Sequence, residues 1–183
     1  MRAARGQVLL DGRDVTALPA TARAKLGLAH AMEGRRLFKQ LSVESNLQLA
    51  WSFGARTVPW GAALGEVYGR FPILAEKAAI AAGLLSGGQQ QMVILSCATI
   101  RAPRVLLLDE PSLGLAPIIV TQIYDFITAY ALRSDTTILL AEQTAMLALR
   151  ASDRGYVLRR GQVVQEGTSQ ELGAGSTLTS SYL

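Results

Sequence analysis

The apolar positions of this chain follow two spacings, and their alternation predicts the architecture. Val105-Leu106-Leu107-Leu108 is an unbroken apolar run of strand length, which predicts a strand buried on both faces of a parallel sheet. Thr136 to Ala141 reads as a second buried strand and Leu28 to Met32 as a possible third. Between these runs the spacing turns helical. Gln89 to Arg101 carries Met92, Val93, Leu95 and Ile100, and Pro117 to Arg133 opens on a proline, whose missing N–H costs nothing in a first turn. Thr144 to Arg150 predicts a short helix. Strands alternating with helices imply an α/β domain with a parallel core sheet.

The remaining elements are written more faintly. Gly6 to Gly12 reads as a short strand running into a turn, and Thr21 to Leu28 as a short helix. Ser42 is placed to cap a helix with Val43, Leu47 and Ala50 on one stripe; Ser45 lacks only the carboxylate of a full capping box. Trp51 to Gly65 holds Gly54, Pro59 and Gly61 and predicts an irregular connection. Glu66 to Tyr68, Phe71 and Leu74 give a helical segment interrupted by Pro72. Tyr156-Val157-Leu158 and Gln162-Val163-Val164 flank Arg159-Arg160-Gly161, a hairpin signal.

Composition narrows the classes. The 183 residues suit one domain, and half of them are apolar, enough for a real core. No apolar run reaches the roughly 18 to 20 residues of a membrane-spanning helix, and no basic segment followed by an apolar one opens the chain. A single cysteine excludes an internal disulfide and fits a reducing compartment; in its apolar helical stretch Cys97 reads as a small buried hydrophobe. One cysteine and one histidine, His30, exclude a His/Cys zinc cluster. The net charge of +4 is scattered, without a block of like charge, so nucleic acid is not an expected partner. Trp51 and Trp60 have a single basic residue, Arg56, between them, and two tryptophans in so sparsely basic a stretch favour core or subunit contact over base stacking.

Two stretches carry chemistry. Ser86-Gly87-Gly88 stands at a predicted helix start, where unpaired N–H groups and the positive dipole end favour an anion. Alone it is a turn and a cap; extended to Leu85-Ser86-Gly87-Gly88-Gln89-Gln90-Gln91 it is far more specific. Asp109-Glu110 closes the apolar strand at the carboxyl edge of the sheet, where open α/β folds bind ligands. The pair can hold a metal ion and polarise a water, or simply cap the turn at Pro111.

In this order and spacing, these stretches resemble the signature and Walker B motifs of ABC-type ATPases, and so of P-loop NTPases. The likeness runs over nearly the whole chain: Leu10-Asp11-Gly12-Arg13-Asp14-Val15-Thr16, Met32-Glu33-Gly34-Arg35-Arg36-Leu37-Phe38, Leu41 to Leu47, Leu107 to Pro117 and Ala141-Glu142-Gln143. It is similar to the ATP-binding subunits of branched-chain amino acid importers. The resemblance implies an incomplete ABC ATPase domain over 1–183, with a helical signature subdomain inserted at about 45–101 and a core α/β remainder ending in a hairpin. It further implies ATP and Mg2+, a second ABC ATPase subunit in a head-to-tail dimer, an integral membrane permease, and a peripheral place at the cytoplasmic face of the plasma membrane.

Residue by residue, the resemblance gives Asp109 the Mg2+ and Glu110 the attacking water. Ser86, Gly87, Gly88 and Gln89 would cap the γ-phosphate of ATP on the opposite subunit. Glu33 stands where most of the family has glutamine. Gln143 stands where many members have a switch histidine, and its amide contacts phosphate without titrating. Residues 112–115 would form the loop that crosses the dimer interface. A phosphate-binding loop needs Gly-x-x-x-x-Gly-Lys-Ser/Thr, but Lys25, Lys39 and Lys77 follow Ala, Phe and Glu. The expectation is therefore an N-terminally truncated chain, lacking a strand beside Val105 to Leu108 and leaving an apolar edge bare. The alternative is a non-catalytic dimerisation or regulatory module supplying only the signature; a non-transport ABC protein would call for coiled-coil or tandem segments, which the sequence lacks.

Overall fold

The computed structural model describes residues 5–54 and 58–174. A small hairpin comes first: β1 (Leu9–Leu10) pairs with β2 (Arg13–Asp14) around Asp11-Gly12. Both turn residues have positive φ, 49° and 76°, the backbone that a two-residue hairpin of right-handed twist requires. Helix α1 (Ala20–Lys25) leads into β3 (Leu28–Ala31). Four helices follow before the next strand: α2 (Val43–Ser52), α3 (Trp60–Arg70), α4 (Pro72–Glu76) and, after a short 3-10 turn, α5 (Gly87–Thr99). Then come β4 (Val105–Asp109), α6 (Pro117–Arg133), β5 (Thr137–Ala141) and α7 (Ala145–Arg150). The hairpin β6 (Arg154–Arg159) and β7 (Gln162–Thr168), with α8 (Ser169–Ala174), completes the order.

The core sheet is parallel, in the order β3-β4-β5. Its register sets Ala31, Leu108 and Leu140 abreast, so the three strands end at one edge. One face carries Ala29, Ala31, Leu106, Leu108, Ile138 and Leu140 into a single apolar cluster with Val43, Leu47, Val93, Leu95, Ile123 and Ile127 of the helices. Helices and sheet thus share one core, which buries most of the apolar area that holds the fold.

Three expectations change. The strand predicted to be buried on both faces is buried on one: Leu106 and Leu108 are 1 % exposed, while Val105 and Leu107 are half-buried. Along β5, Thr137, Leu139 and Ala141 are exposed, because among the described residues helices cover only the opposite face. The edge of β4 is not bare: β3 and β5 pair with it on both sides, and the sheet's outer edges belong to those two strands. Finally, α3 starts at Trp60, inside the segment read as irregular. Its glycines lower helix propensity, but burying Ala63 and Val67 overrides that; residues 55–57 of the segment lie outside the described residues.

Other expectations agree. Ser42 caps α2, its hydroxyl accepting from the Ser45 N–H at 3.1 Å. The helical segment is interrupted at Pro72, which separates α3 from α4 and opens the latter, in keeping with its fit to a first turn. Trp51 and Trp60 pack on each other, ring centroids 5.8 Å apart, joining the end of α2 to the start of α3. Cys97, read as a buried hydrophobe, is half-buried on α5 against the core, and desolvation pushes its thiol up to about 12.

Candidate functional site

Because β3, β4 and β5 end together, the residues at and just past their ends belong to one edge of the sheet: Glu33 two residues past β3, Asp109-Glu110 at the end of β4, and Glu142-Gln143 after β5. Asp109 is the last residue of β4, opposite Ala141. The Glu110 N–H donates to the Ala141 carbonyl at 2.9 Å and carries the pairing one residue further. Glu110 itself has φ +44°, the left-handed region that a side chain with a Cβ avoids. Such strain, of order 1–3 kcal/mol, persists only where the surroundings over-determine it. Here the holding groups are the β5 hydrogen bond, a turn closed by the Leu113 N–H on the Glu110 carbonyl at 3.2 Å, and buried Pro111.

Asp109 is half-buried and forms no ion pair among the described residues. Its oxygens suit Mg2+, which takes one or two carboxylates and completes its shell with phosphate and water. No group of three or more His, Cys, Asp or Glu among the described residues is placed to hold a metal. The residues present therefore fit Mg2+ held jointly with a nucleotide and do not fit an all-protein cage.

The signature turn is built as a helix start. Ser86 caps α5 with both arms of a capping box: its hydroxyl accepts from the Gln89 N–H at 3.3 Å, and the Gln89 Oε1 accepts from the Ser86 N–H at 3.1 Å. Gln89, expected at the γ-phosphate, therefore spends its carbonyl oxygen on the turn. The two glycines have different reasons to be glycine. A Cβ at Gly88 would lie 2.8 Å from Ile119 of α6, so Gly88 allows α5 and α6 to close on each other. A Cβ at Gly87 would lie 2.6–3.0 Å from the guanidinium of Arg35.

Arg35 is one of two contributors whose roles the sequence did not reveal. It follows Gly34 in a turn where both have positive φ, 50° and 86°, after β3. Its Nη2 donates to the Gly114 carbonyl at 3.4 Å, so one side chain joins the segment after β3, the signature turn and the loop after β4. The second is Glu142. Its carboxylate accepts from the Ser112 hydroxyl, from the Tyr124 hydroxyl at 2.9 Å and from the Gln143 N–H at 3.0 Å. Both residues stand in motifs visible in the sequence, Glu-Gly-Arg-Arg and Ala-Glu-Gln, but their partners are up to 79 positions away.

The family model for the ABC transporter matches residues 1–113. The chain belongs to the ABC transporter family. The high-affinity branched-chain amino acid transport ATP-binding protein BraG of Pseudomonas aeruginosa is 38% identical over 182 residues, covering 100% of this chain and 77% of BraG. The probable branched-chain amino acid transport ATP-binding protein LivF of Archaeoglobus fulgidus is 38% identical over 169 residues, covering 91% of this chain and 70% of LivF. A solved dimeric ATP-binding cassette in a post-hydrolysis state with ADP and Pi superposes with a TM-score of 0.81 at 20% identity, over 92% of this chain and 75% of that one. That likeness establishes the ABC ATPase fold, with its parallel sheet and surrounding helices. No helix among the described residues is long and apolar enough to cross a membrane.

Proposed function

We propose that this chain is an ATP-binding subunit that energises import of branched-chain amino acids through an integral membrane permease, seated peripherally at the cytoplasmic face of the plasma membrane. The observation that supports it most is the convergence of Asp109, a strained Glu110 and Gln143 at one sheet edge. The identity to BraG over the whole chain supports the solute class. In this reading residues of about 45–101 form the signature subdomain, and Ser86, Gly87 and Gly88 meet ATP held by a second ABC ATPase subunit, head to tail. Gln89 holds that turn in shape. Asp109 would hold Mg2+, which when bound neutralises phosphate charge. Glu110 orients and polarises the attacking water, and Gln143 offers its amide to the γ-phosphate. Glu33 faces the same edge from the permease-signalling loop. Positioning of this kind is most of what phosphoryl transfer needs from a protein.

None of the three lysines in these 183 residues ends a Gly-x-x-x-x-Gly-Lys sequence. We infer that Ser86, Gly87 and Gly88 form a signature half-site that serves ATP held by a second subunit and needs no phosphate cradle within these residues. Calorimetry with Mg-ATP and a phosphate-release assay test both parts. The expected result is no micromolar binding and no turnover by the chain alone, and ATP-dependent association with a complete BraG-type subunit, abolished by Ser86→Arg. Steady turnover by the chain alone refutes the half-site; association indifferent to ATP refutes the nucleotide reading.

A further inference from the structure

Glu142 has a more connected position than a loop carboxylate needs. It lies half-buried, one residue past β5, and forms no ion pair among the described residues. Its charge is instead held by three donors from three places. Oε1 accepts from the Ser112 hydroxyl, in the loop after β4, and from the Tyr124 hydroxyl on α6. Oε2 accepts from the backbone N–H of Gln143. Hydrogen bonds to a charged acceptor are the stronger kind, and occupying both oxygens fixes the plane of the carboxylate. Tyr124 is kept a donor: burial, and then the bond to Glu142, raise its phenol above the ordinary range. Any rotation of the carboxylate that releases Ser112 also tilts the oxygen that holds Gln143.

We propose that Glu142 is a positioning residue that locks the backbone at Gln143 to the loop of residues 112–115, so that the phosphate-facing segment and the loop at the dimer interface move as one. The proposal rests on the reading of Gln143 given under Proposed function and on residues 112–115 being the loop that crosses that interface. The three arms can be cut separately. Ser112→Ala removes one hydroxyl and Tyr124→Phe the other. Glu142→Gln keeps an oxygen for both hydroxyls but turns an NH2 donor toward the Gln143 N–H, which is also a donor.

The test follows amide hydrogen exchange at Gln143 by NMR in the 183-residue chain, with Ile138 and Leu140 of β5 as internal controls. Glu142→Gln should accelerate exchange at Gln143 by roughly tenfold or more, the effect of losing one charge-assisted bond. Ser112→Ala, which does not touch Gln143, should accelerate it several-fold, leave the β5 controls unchanged, and be rescued by Ser112→Thr. In parallel, Ser112→Ala and Glu142→Gln should weaken Mg-ATP-dependent association with a complete BraG-type subunit by a similar factor, while Ser112→Thr preserves it. Unchanged exchange at Gln143 in Ser112→Ala, with wild-type association intact, overturns the proposal. Equal acceleration at Gln143 and in β5 reduces Glu142 to a general staple and also overturns it. Absence of ATP-dependent association in the wild-type chain overturns the functional reading beneath it, whatever the exchange data show.

Discussion

Removing the amide of Asn46 should cost far more than its size implies. Asn46 is 3 % exposed, on the first turns of α2, and its side chain holds the end of the segment that carries Glu33 and Arg35. Oδ1 accepts from the Phe38 N–H at 3.0 Å. Nδ2 donates to the carbonyls of Phe38, Leu41 and Ser42 at 3.1, 3.3 and 2.9 Å. Two hydrogens serve those three acceptors, so the longest contact is shared and weak. Each carbonyl also has a backbone donor, from Leu41, Ala82 and Asn46 respectively. The Phe38 N–H has no second acceptor among the described residues. Two good side-chain bonds at about 1 kcal/mol net each, plus a poorly paired N–H that water partly reaches, give a loss of about 2–3 kcal/mol for Asn46→Ala. Asn46→Asp keeps the acceptor for Phe38 but aims a carboxylate oxygen at three carbonyls, and should cost at least as much. Urea unfolding followed by circular dichroism at 222 nm measures both, and exchange of the Phe38 amide localises the effect. A loss under about 0.5 kcal/mol for Asn46→Ala, or a milder effect for Asn46→Asp, would refute the reasoning.

Three further outcomes are expected. Glu110→Gly should remove left-handed strain and stabilise the chain by about 0.5–1 kcal/mol in the same unfolding assay, after allowing for the entropy glycine adds to the unfolded state; a destabilised variant counts against strain at that residue. Gly88→Ala should cost about 1–3 kcal/mol because it drives a Cβ into Ile119, whereas Gly87→Ala meets only the end of the Arg35 side chain, which can swing away at little cost; equal losses at the two glycines contradict the packing account. The Cys97 thiol ordinarily ionises near 9 and is pushed up to about 12 by burial. Its contribution is full below pH 9, falls as pH rises beyond that, and is lost through pH 12, so stability should decline over that window and less so in Cys97→Ala. Labelling with a thiol reagent at pH 8 should be slow in the folded chain and fast in urea; rapid labelling when folded contradicts the burial.

Much of this protein was legible in one dimension because its elements obey local rules. Ser42 and Ser86 cap helices with their own side chains, and Pro117 opens α6 where proline fits. The run from Val105 to Leu108 could only be a strand at the heart of a sheet, and the two carboxylates after it fall at its carboxyl edge by the geometry of parallel strands. Other properties follow from contacts between distant residues, and no periodicity encodes those. Trp60 to Arg70 has three glycines and still forms a helix, because Ala63 and Val67 find a core that the local sequence does not contain. Which face of β4 is buried depends on where α5 and α6 come to rest. Gly87 and Gly88 look alike in the sequence, yet one accommodates an arginine and the other a neighbouring helix. The left-handed backbone of Glu110 is stable only because β5 lies beside it, and the carboxylate of Glu142 has meaning only once folding brings Ser112, Tyr124 and Gln143 around it. Local spacing and composition set the kinds of element and the chemical groups offered at their ends; which of those groups touch was settled only on folding, because side-chain contacts across tens of residues are set by packing.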